Sequence, residues 1–177
     1  MNILKKIDGK LFEWYLKSFA ADGDASKMAD LGICYLEGAC NIKQDKELGL
    51  YWLNEAIKNG YAKAMYFLGN YYIAGKFVEK DEKKGVELLT KCLFHNDSAA
   101  YLSLALCYKD GKGVEKSIPK FIECLKVAAK DNRPELSKLL FEIYTDGLYV
   151  ERNDVEAVSW LRLYWEQIKE NKNEKNS

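Results

Sequence analysis

The chain has 177 residues, of which 48% are apolar and 31% are charged, as in ordinary globular proteins with a core of their own. Its 27 Lys and Arg residues balance its 27 Asp and Glu residues, so charge gives no reason to expect nucleic acid or an anionic membrane as a partner. Charged residues interrupt every apolar run in the stretch 1–19, and no segment approaches the roughly 20 apolar residues that a membrane-spanning helix needs. We therefore expect a cytoplasmic protein.

Cysteine usage argues against both a disulfide framework and a metal site. The five cysteines are odd in number and form no Cys-x-x-Cys motif, and in a reducing compartment such residues are mostly small buried ones. Cys34 and Cys40 stand six residues apart, which does not place them on one face of a helix. No other Cys or His pair has the spacing of zinc ligands, so we expect no metal.

In chain order, the predicted elements are all helices. Only two prolines occur, Pro119 and Pro134, so long stretches carry no helix breaker. The segment 8–22 is predicted to be a capping helix. Four repeats of two helices each follow at 23–59, 60–95, 96–131 and 132–168, and a polar tail at 169–177 is expected to fray. The prediction is a single all-α repeat domain over 1–177.

The repeat is visible as columns of residues that share one period. The Leu, Tyr and Gly columns recur at steps of 37, 36 and 36 residues: Leu31, Leu68, Leu104 and Leu140; Tyr35, Tyr72, Tyr108 and Tyr144; Gly38, Gly75, Gly111 and Gly147. Each Gly is predicted to end a first helix, helix A, and a good N-cap residue then begins helix B: Asp45, Asp81, Ser117 and Asn153. Glu156, three residues after Asn153, predicts a capping box. A last column holds residues that readily take the left-handed conformation at a helix end: Gly23, Gly60, Asn96 and Asn132.

These columns resemble the Sel-one-like repeat family, a relative of the tetratricopeptide repeats. The second repeat matches the family's pattern at Ala62, Ala64, Leu68, Gly69, Tyr72, Gly75, Val78 and Asp81. The fourth repeat diverges most, because Phe141 stands where the family has a Gly in helix A. The resemblance implies a right-handed α-α superhelix, a solenoid in which A helices line a concave face and B helices a convex one. It also implies a surface that binds proteins or peptides.

Two motifs of the sequence bear on whether the chain is an enzyme. The stretch GNYYIAGKF at 69–77 looks like a phosphate-binding loop, but its Gly-to-Gly spacing is one residue too long, and Phe77 stands where a hydroxyl would hold magnesium. His95, the one histidine, lies three residues from Cys92 on one predicted helix, whereas catalytic pairs normally come from separate elements with a third orienting group. We therefore expect neither catalysis nor a cofactor.

By analogy with related solenoids, one side of each helix A would line the concave face. The residues expected to contact a partner there are Ile33, Leu36, Glu37, Tyr66, Asn70, Ile73, Leu102, Leu106, Lys109, Glu142 and Asp146. This set has an apolar centre and an acidic end, which suits a protein partner because binding hot spots combine an apolar anchor with a polar rim. Whether the concave or the convex face binds stays open at this point.

The sequence therefore predicts a non-enzymatic module for protein–protein interaction. For bacterial chains of this kind the resemblance implies two roles, an immunity protein that neutralises a cognate toxin encoded nearby, and an adaptor. The alternative from another class is a hydrolase with a Cys or a carboxylate in the groove, similar to the cysteine-rich, β-lactamase-like branch of the family. The regular cysteine pairs of that branch are missing from this sequence.

Overall fold

The computed structural model describes residues 9–95 and 98–174. The chain folds as two compact units, Met1–Asp97 and Ser98–Ser177, called here the N-terminal and the C-terminal unit. Every regular element of the described residues is helical, so the all-α prediction is confirmed. The single domain over 1–177 stays a prediction.

The N-terminal unit contains five α-helices in its described part. They are α1 (Gly9–Ala21), α2 (Ala25–Glu37), α3 (Lys46–Lys58), α4 (Ala62–Ala74) and α5 (Glu82–Cys92). Helices α2 and α3 pair as A and B of the first repeat, α4 and α5 as A and B of the second, and α1 packs against α2. A short 3-10 turn, Leu93–His95, follows α5.

The C-terminal unit contains four α-helices between residues 98 and 174. They are α6 (Ser98–Asp110), α7 (Ile118–Ala129), α8 (Pro134–Asp146) and α9 (Asp154–Glu174). Helix α6 pairs with α7 and α8 with α9, and α7 also packs against α8. Pro119 and Pro134 lie in the first turns of their helices, where a missing N–H costs little.

All four predicted N-caps of the B helices are confirmed. The side chains of Asp45 and Asp81 each accept a hydrogen bond from the backbone N–H three residues ahead, at 3.0 Å. Ser117 does the same at 3.5 Å, and Asn153 accepts from the second and third N–H groups after it, each at 3.1 Å. These bonds satisfy backbone donors that the first turn of a helix leaves without a partner.

The predicted capping box at Asn153 is wrong. The backbone N–H of Asn153 donates to the carbonyl oxygen of Tyr144 at 2.9 Å, so it is not available to Glu156. The Glu156 carboxylate instead accepts from Trp160 Nε1 and from Lys126 Nζ, both at 3.2 Å. Two side-chain donors within reach outcompete a backbone N–H that already has an acceptor.

The left-handed helix ends are confirmed wherever the structure describes them. The glycines that end the A helices have φ of 64°, 67°, 75° and 68° at Gly38, Gly75, Gly111 and Gly147. The second column has φ of 89°, 81° and 45° at Gly23, Gly60 and Asn132, and Asn96 lies outside the described residues. At Gly75 the N–H donates to the carbonyl oxygen of Tyr71, which closes α4 in a conformation that would strain most other residues.

In the N-terminal unit, the two helices of each repeat cross at a pair of glycines. A Cβ atom built on Gly85 of α5 would lie 2.6 Å from Cγ1 of Ile73 and 2.7 Å from the carbonyl oxygen of Gly69 in α4. A Cβ atom on Gly49 of α3 would lie 2.9 Å from the carbonyl oxygen of Gly32 in α2. Because a backbone oxygen cannot rotate away, this crossing distance requires glycine on both helices.

The C-terminal unit has one small and one large residue at the same register positions. The third repeat has Ala105 in α6 and Phe121 in α7, and the fourth has Phe141 in α8 and Ala157 in α9. All four residues belong to one core cluster or pack against it. The departure from the family's pattern at Phe141 is therefore matched by a small residue on the helix that pairs with it.

Helix α9 is held along its C-terminal half by a buried amide. Gln167 Nε2 donates to the carbonyl oxygen of Ala129 at 2.8 Å, and Gln167 Oε1 accepts from the Ser137 hydroxyl at 2.9 Å. The side chains of Gln167 and Ser137 are both buried. Because α9 continues to Glu174, residues 169–174 of the predicted tail are helical, and residues 175–177 lie outside the described part.

Gly85→Ala tests the glycine crossing. The added methyl group meets the backbone of α4, so the helices must separate, and we expect the free energy of unfolding to fall by about 1–3 kcal/mol despite the better helix propensity of Ala. Urea denaturation followed by circular dichroism measures the change. Lys83→Ala, at an exposed position of the same helix, is the matched control and should change stability by less than about 0.5 kcal/mol. A Gly85→Ala chain as stable as its parent contradicts the tight crossing.

Gln167→Ala tests the buried amide. The substitution removes the best donor to the Ala129 carbonyl and one partner of the Ser137 hydroxyl, and we expect a loss of about 1–3 kcal/mol in the free energy of unfolding. Lys169→Ala, exposed on the same helix, is the control. Equal stability of the two variants would mean that the amide contributes nothing to holding α9.

Candidate protein-binding surface

The prediction of Leu36 as a surface residue is wrong. Leu36 has no exposed surface and belongs to a core cluster together with Leu53 and Ala56. Its Cγ atom lies 2.5 Å from where a Cβ atom on Gly49 would stand. Helix geometry gives the reason: Leu36 follows Gly32 by four residues and so shares the face at which α2 crosses α3.

Ile73 holds the same register in α4 and takes part in the equivalent contact. It is half-buried, and its Cγ1 atom approaches Gly85 of α5. Its main structural role is to pack α4 on α5. Contact of Ile73 with a partner stays a prediction.

Ile33, Tyr66 and Asn70 are half-buried on the two A helices of the N-terminal unit. Ile33 packs against the core cluster, and the ring of Tyr66 lies edge-on to that of Phe67, with centroids 5.4 Å apart. Asn70 Nδ2 donates to the backbone carbonyl oxygen of Tyr66 at 2.8 Å. Ile33 and Asn70 hold one register in successive A helices, and Tyr66 comes one turn before Asn70. Ile33 and Asn70 directly follow the crossing glycines and so lie off the face used for the crossing, whereas Tyr66 comes three residues before Gly69 and borders that face.

Glu37 and Lys76 join the C-terminal ends of α2 and α4. Lys76 Nζ lies 2.9 Å from Glu37 Oε1 and 4.7 Å from the ring centroid of Phe77. The Tyr71 hydroxyl donates to the same carboxylate oxygen at 3.4 Å. Burial, together with the nearby Glu37 carboxylate, raises the pKa of Tyr71 to about 12, so the hydroxyl keeps its proton at neutral pH. Sequence reasoning missed Lys76, because only the fold brings it next to a residue 39 positions earlier.

In the C-terminal unit, the predicted contact residues divide between half-buried and exposed positions. Leu102 and Lys109 are half-buried, and Leu106, Glu142 and Asp146 are exposed. Leu102 packs against the core cluster of this unit. The Glu142 carboxylate lies 3.7 Å from the Nζ atom of the lysine one turn earlier. Contact of these five residues with a partner stays a prediction.

Three of the four A helices end on an acidic residue, where the helix dipole disfavours negative charge: Glu37, Asp110 and Asp146. At two of these helix ends, a lysine offsets the unfavourable interaction between the acidic side chain and the helix dipole. Lys76 pairs with Glu37, and Lys112 lies 2.9 Å from Asp110, whose pKa it lowers through their hydrogen bond. A residue type that the helix disfavours, repeated at one place in the repeat, is typical of a functional surface.

Lysines cover the Tyr column, which the sequence analysis did not foresee. Lys84 Nζ lies 4.3 Å from the ring centroid of Tyr72 and donates to its hydroxyl at 2.7 Å. Lys120 Nζ lies 5.2 Å from the ring centroid of Tyr108. Both lysines come three residues after an N-cap. Their shared position in the repeat could therefore have predicted a contact with the Tyr column. These contacts explain the tyrosines as structural residues that carry a cation on the ring face.

Three of the five cysteines are poorly placed for nucleophilic chemistry. Cys92 has no exposed surface, and its thiol donates to the carbonyl oxygen of Ala62 at 3.3 Å. Burial, with Cys40 nearby, raises the pKa of Cys34 to about 12, and burial raises the pKa of Cys124 to about 11. The thiolate is the reactive form, and thiols with such pKa values carry very little of it at neutral pH.

Neither a cluster of metal ligands nor a membrane-spanning helix is found among the described residues. Within residues 9–95 and 98–174, no three His, Cys, Asp or Glu side chains converge as metal ligands. Among the helices α1 to α9, none combines the length and the apolar character that crossing a bilayer demands. The side chain of His95 lies outside the part of the chain that the structure describes, and so does the proposed pair with Cys92.

The chain repeats one unit of two helices. In each unit helix A ends at a left-handed glycine and helix B begins at an N-cap residue. This arrangement defines a helix–turn–helix repeat protein. The family model of the Sel1 repeat matches residues 28–61, 62–91, 98–132 and 136–163. The chain therefore belongs to the Sel1 repeat family, and the resemblance drawn from the sequence is confirmed.

Solved structures of the same fold include a bacterial antigen and a further Sel1 repeat protein. A protective antigen from uropathogenic Escherichia coli with an SLR fold is 26% identical, with a TM-score of 0.77 over 92% of this chain and 34% of its own. A Sel1 repeat protein from Oxalobacter formigenes is 24% identical, with a TM-score of 0.74 over 86% of this chain and 61% of its own. This chain thus spans only part of the length of both.

An immunity protein from Pseudomonas aeruginosa also shares the fold. It is 16% identical, with a TM-score of 0.53 over 88% of this chain and 73% of its own. No curated protein sequence matches the chain.

Alkylation with iodoacetamide tests the reactivity of the buried thiols. At pH 8.5 a thiol of pKa about 12 is ionised in about one molecule in 3,000, so we expect Cys34 of the folded chain to react far more slowly than in the urea-unfolded chain. Mass spectrometry of the tryptic peptides measures the modified fraction over time. Because the folded pKa is raised, the reaction should accelerate with pH well above 8.5. Labelling of Cys34 at the unfolded rate would contradict the pKa shift.

Proposed function

We propose that this chain is a non-enzymatic module that binds a bacterial toxin on the face formed by its A helices and neutralises it. Sel1 repeats indicate a protein-interaction module. The toxin as partner and the A-helix face as binding surface are the proposal. The observation that carries it is the half-buried surface of the A helices beside the crossing: Ile33, Tyr66 and Asn70, bordered by the Glu37–Lys76 pair.

The chemistry of this face suits a protein partner. Tyr66 and Ile33 supply an aromatic and an aliphatic anchor, both already half-buried and so held in place before binding. Anchors of this kind cost little conformational entropy when a partner covers them. The Glu37–Lys76 ion pair supplies a charged rim beside these anchors, which suits a protein partner.

The fold supports the toxin as partner. It is shared with an immunity protein over most of both chains, although at 16% identity this likeness concerns the fold alone. Adaptor function is the second form of the proposal and differs in the identity of the partner.

Coexpression with the open reading frames next to its own tests the toxin proposal. We expect one neighbouring product to arrest growth when expressed alone, to be tolerated together with this chain, and to co-purify with it. If no neighbour is toxic alone and none co-purifies, the immunity role is excluded. Affinity capture from source cells with mass spectrometry would then identify the client of an adaptor.

Tyr66→Ala and Asn70→Ala test the A-helix face. We expect each to weaken binding of the co-purified partner at least tenfold, or about 1.4 kcal/mol, measured by isothermal titration calorimetry. Lys63→Ala, exposed in the first turn of the same helix, is the control and should bind like the parent. Circular dichroism checks that each variant is folded. Unchanged affinity in both Tyr66→Ala and Asn70→Ala would place the binding site elsewhere on the molecule.

A further inference from the structure

Helices α1 and α3 of the N-terminal unit expose six large apolar side chains, and four of these share two register positions. The four are Leu11 and Trp14 on α1, which are 60% and 66% exposed, and Leu48 and Tyr51 on α3, which are 41% and 54% exposed. Helix α1 holds the register of a B helix, so Leu11 corresponds to Leu48 and Trp14 to Tyr51, each pair 37 residues apart. We call these four residues the B-helix patch.

The same two register positions are polar in every later B helix. They are occupied by Lys84 and Glu87, by Lys120 and Glu123, and by Glu156 and Ser159. The repeat therefore folds with charged residues at these positions, and packing within the repeat does not require apolar ones. Exposed apolar residues that the fold does not need, gathered on two helices, indicate a surface that another molecule covers.

The two halves of the B-helix patch adjoin one part of the core. Phe12 of α1 and Trp52 of α3 both pack against one core cluster, which is made of Leu16, Leu31, Cys34, Tyr35 and Ile42. Helix α2 packs against both α1 and α3. Tyr15, 42% exposed, extends the patch along α1. The shared register places the patch residues of α1 and α3 on equivalent faces of their helices.

The charges around the patch are balanced and largely paired among themselves. Residues 9–21 and 45–58 together contain four basic and four acidic residues. Glu13 pairs with Lys17 at 2.6 Å, and Glu55 pairs with Lys58 at 2.5 Å. A surface of this kind attracts neither an anionic bilayer nor a strongly charged partner. It also meets no like-charge repulsion from a copy of itself, and the chain as a whole has a net charge of zero, which promotes self-association.

We propose that the B-helix patch binds a second copy of this chain, with α1 of one copy against α3 of the other. In such a two-fold pairing each contact occurs twice, so the patch must be complementary to itself. Its two halves meet this condition because each presents an aliphatic and an aromatic residue three positions apart on a helix. Trp14 of each copy then packs near Tyr51 of the other.

The size of the patch sets the strength of the dimer. A helix of 13 residues presents a face of about 20 Å by 10 Å, so α1 and α3 together offer about 400 Å² on each copy. A standard stable interface buries about 800 Å² on each partner, so the dimer belongs to the weak class and dissociates on dilution. It is separate from the proposed toxin-binding face and requires no toxin.

Sedimentation velocity between about 1 µM and 1 mM tests the dimer. We expect the dimer fraction of the full chain to rise with concentration. The double variant Trp14→Glu, Tyr51→Glu should stay monomeric, since it places four like charges in the interface. Val155→Glu, at a 78% exposed apolar position of the C-terminal unit, should dimerise like the parent. A parent chain monomeric at every concentration, or a double variant that dimerises undiminished, overturns the proposal.

A charge-swap experiment tests the pairing of α1 with α3. A chain with Trp14→Lys is mixed with a chain that carries Tyr51→Glu. In the mixed dimer one half keeps the native Trp14–Tyr51 contact and the other gains a Lys–Glu pair. We expect the mixture to dimerise at least tenfold more tightly than either variant alone. No gain on mixing would exclude this arrangement of the two copies.

Discussion

The distance at which the two helices of a repeat cross is the constraint on which the other features of the N-terminal unit depend. At Gly69 and Gly85 the backbones approach so closely that a single methyl group would meet a carbonyl oxygen. The side chain one turn further along helix A must then pack over the opposite glycine, as Leu36 does over Gly49. Only residues rotated away from this face, such as Asn70, can contribute to a binding surface.

Electrostatics at the helix ends acts on a different part of each repeat. The A helices end at left-handed glycines, and three of them carry an acidic residue at the last position, against the preference of the helix dipole. The fold tolerates an acidic residue at the end of α2 because Lys76, from the next repeat, forms an ion pair with Glu37. The B helices place their lysines on tyrosine rings instead.

Most of the fold was predictable because its signals are local. A left-handed glycine, an N-cap and a proline in a first turn each depend on a few neighbouring residues, and Gly75, Asp81 and Pro134 behave as their types predict. The binding face was less predictable, because it depends on which side of a helix the neighbouring helix covers. Leu36 was misplaced for that reason. The pairing of Lys76 with Glu37 involves residues far apart in sequence, and no local pattern carries that information.

The helix crossing has two glycines in the first two repeats and one small and one large residue in the last two. This difference affects how the repeats can be recombined. Phe121 stands in a B helix and Phe141 in an A helix, so the bulk changes sides between the third and fourth repeats. At this crossing, exchange of a whole repeat keeps the matched pair of residues, whereas exchange of one helix between the third and fourth repeats does not. A helix A with Phe141 joined to a helix B with Phe121 would bring two aromatic rings to a crossing that has room for one. A recombination breakpoint between the two helices of either repeat would therefore disturb this part of the core.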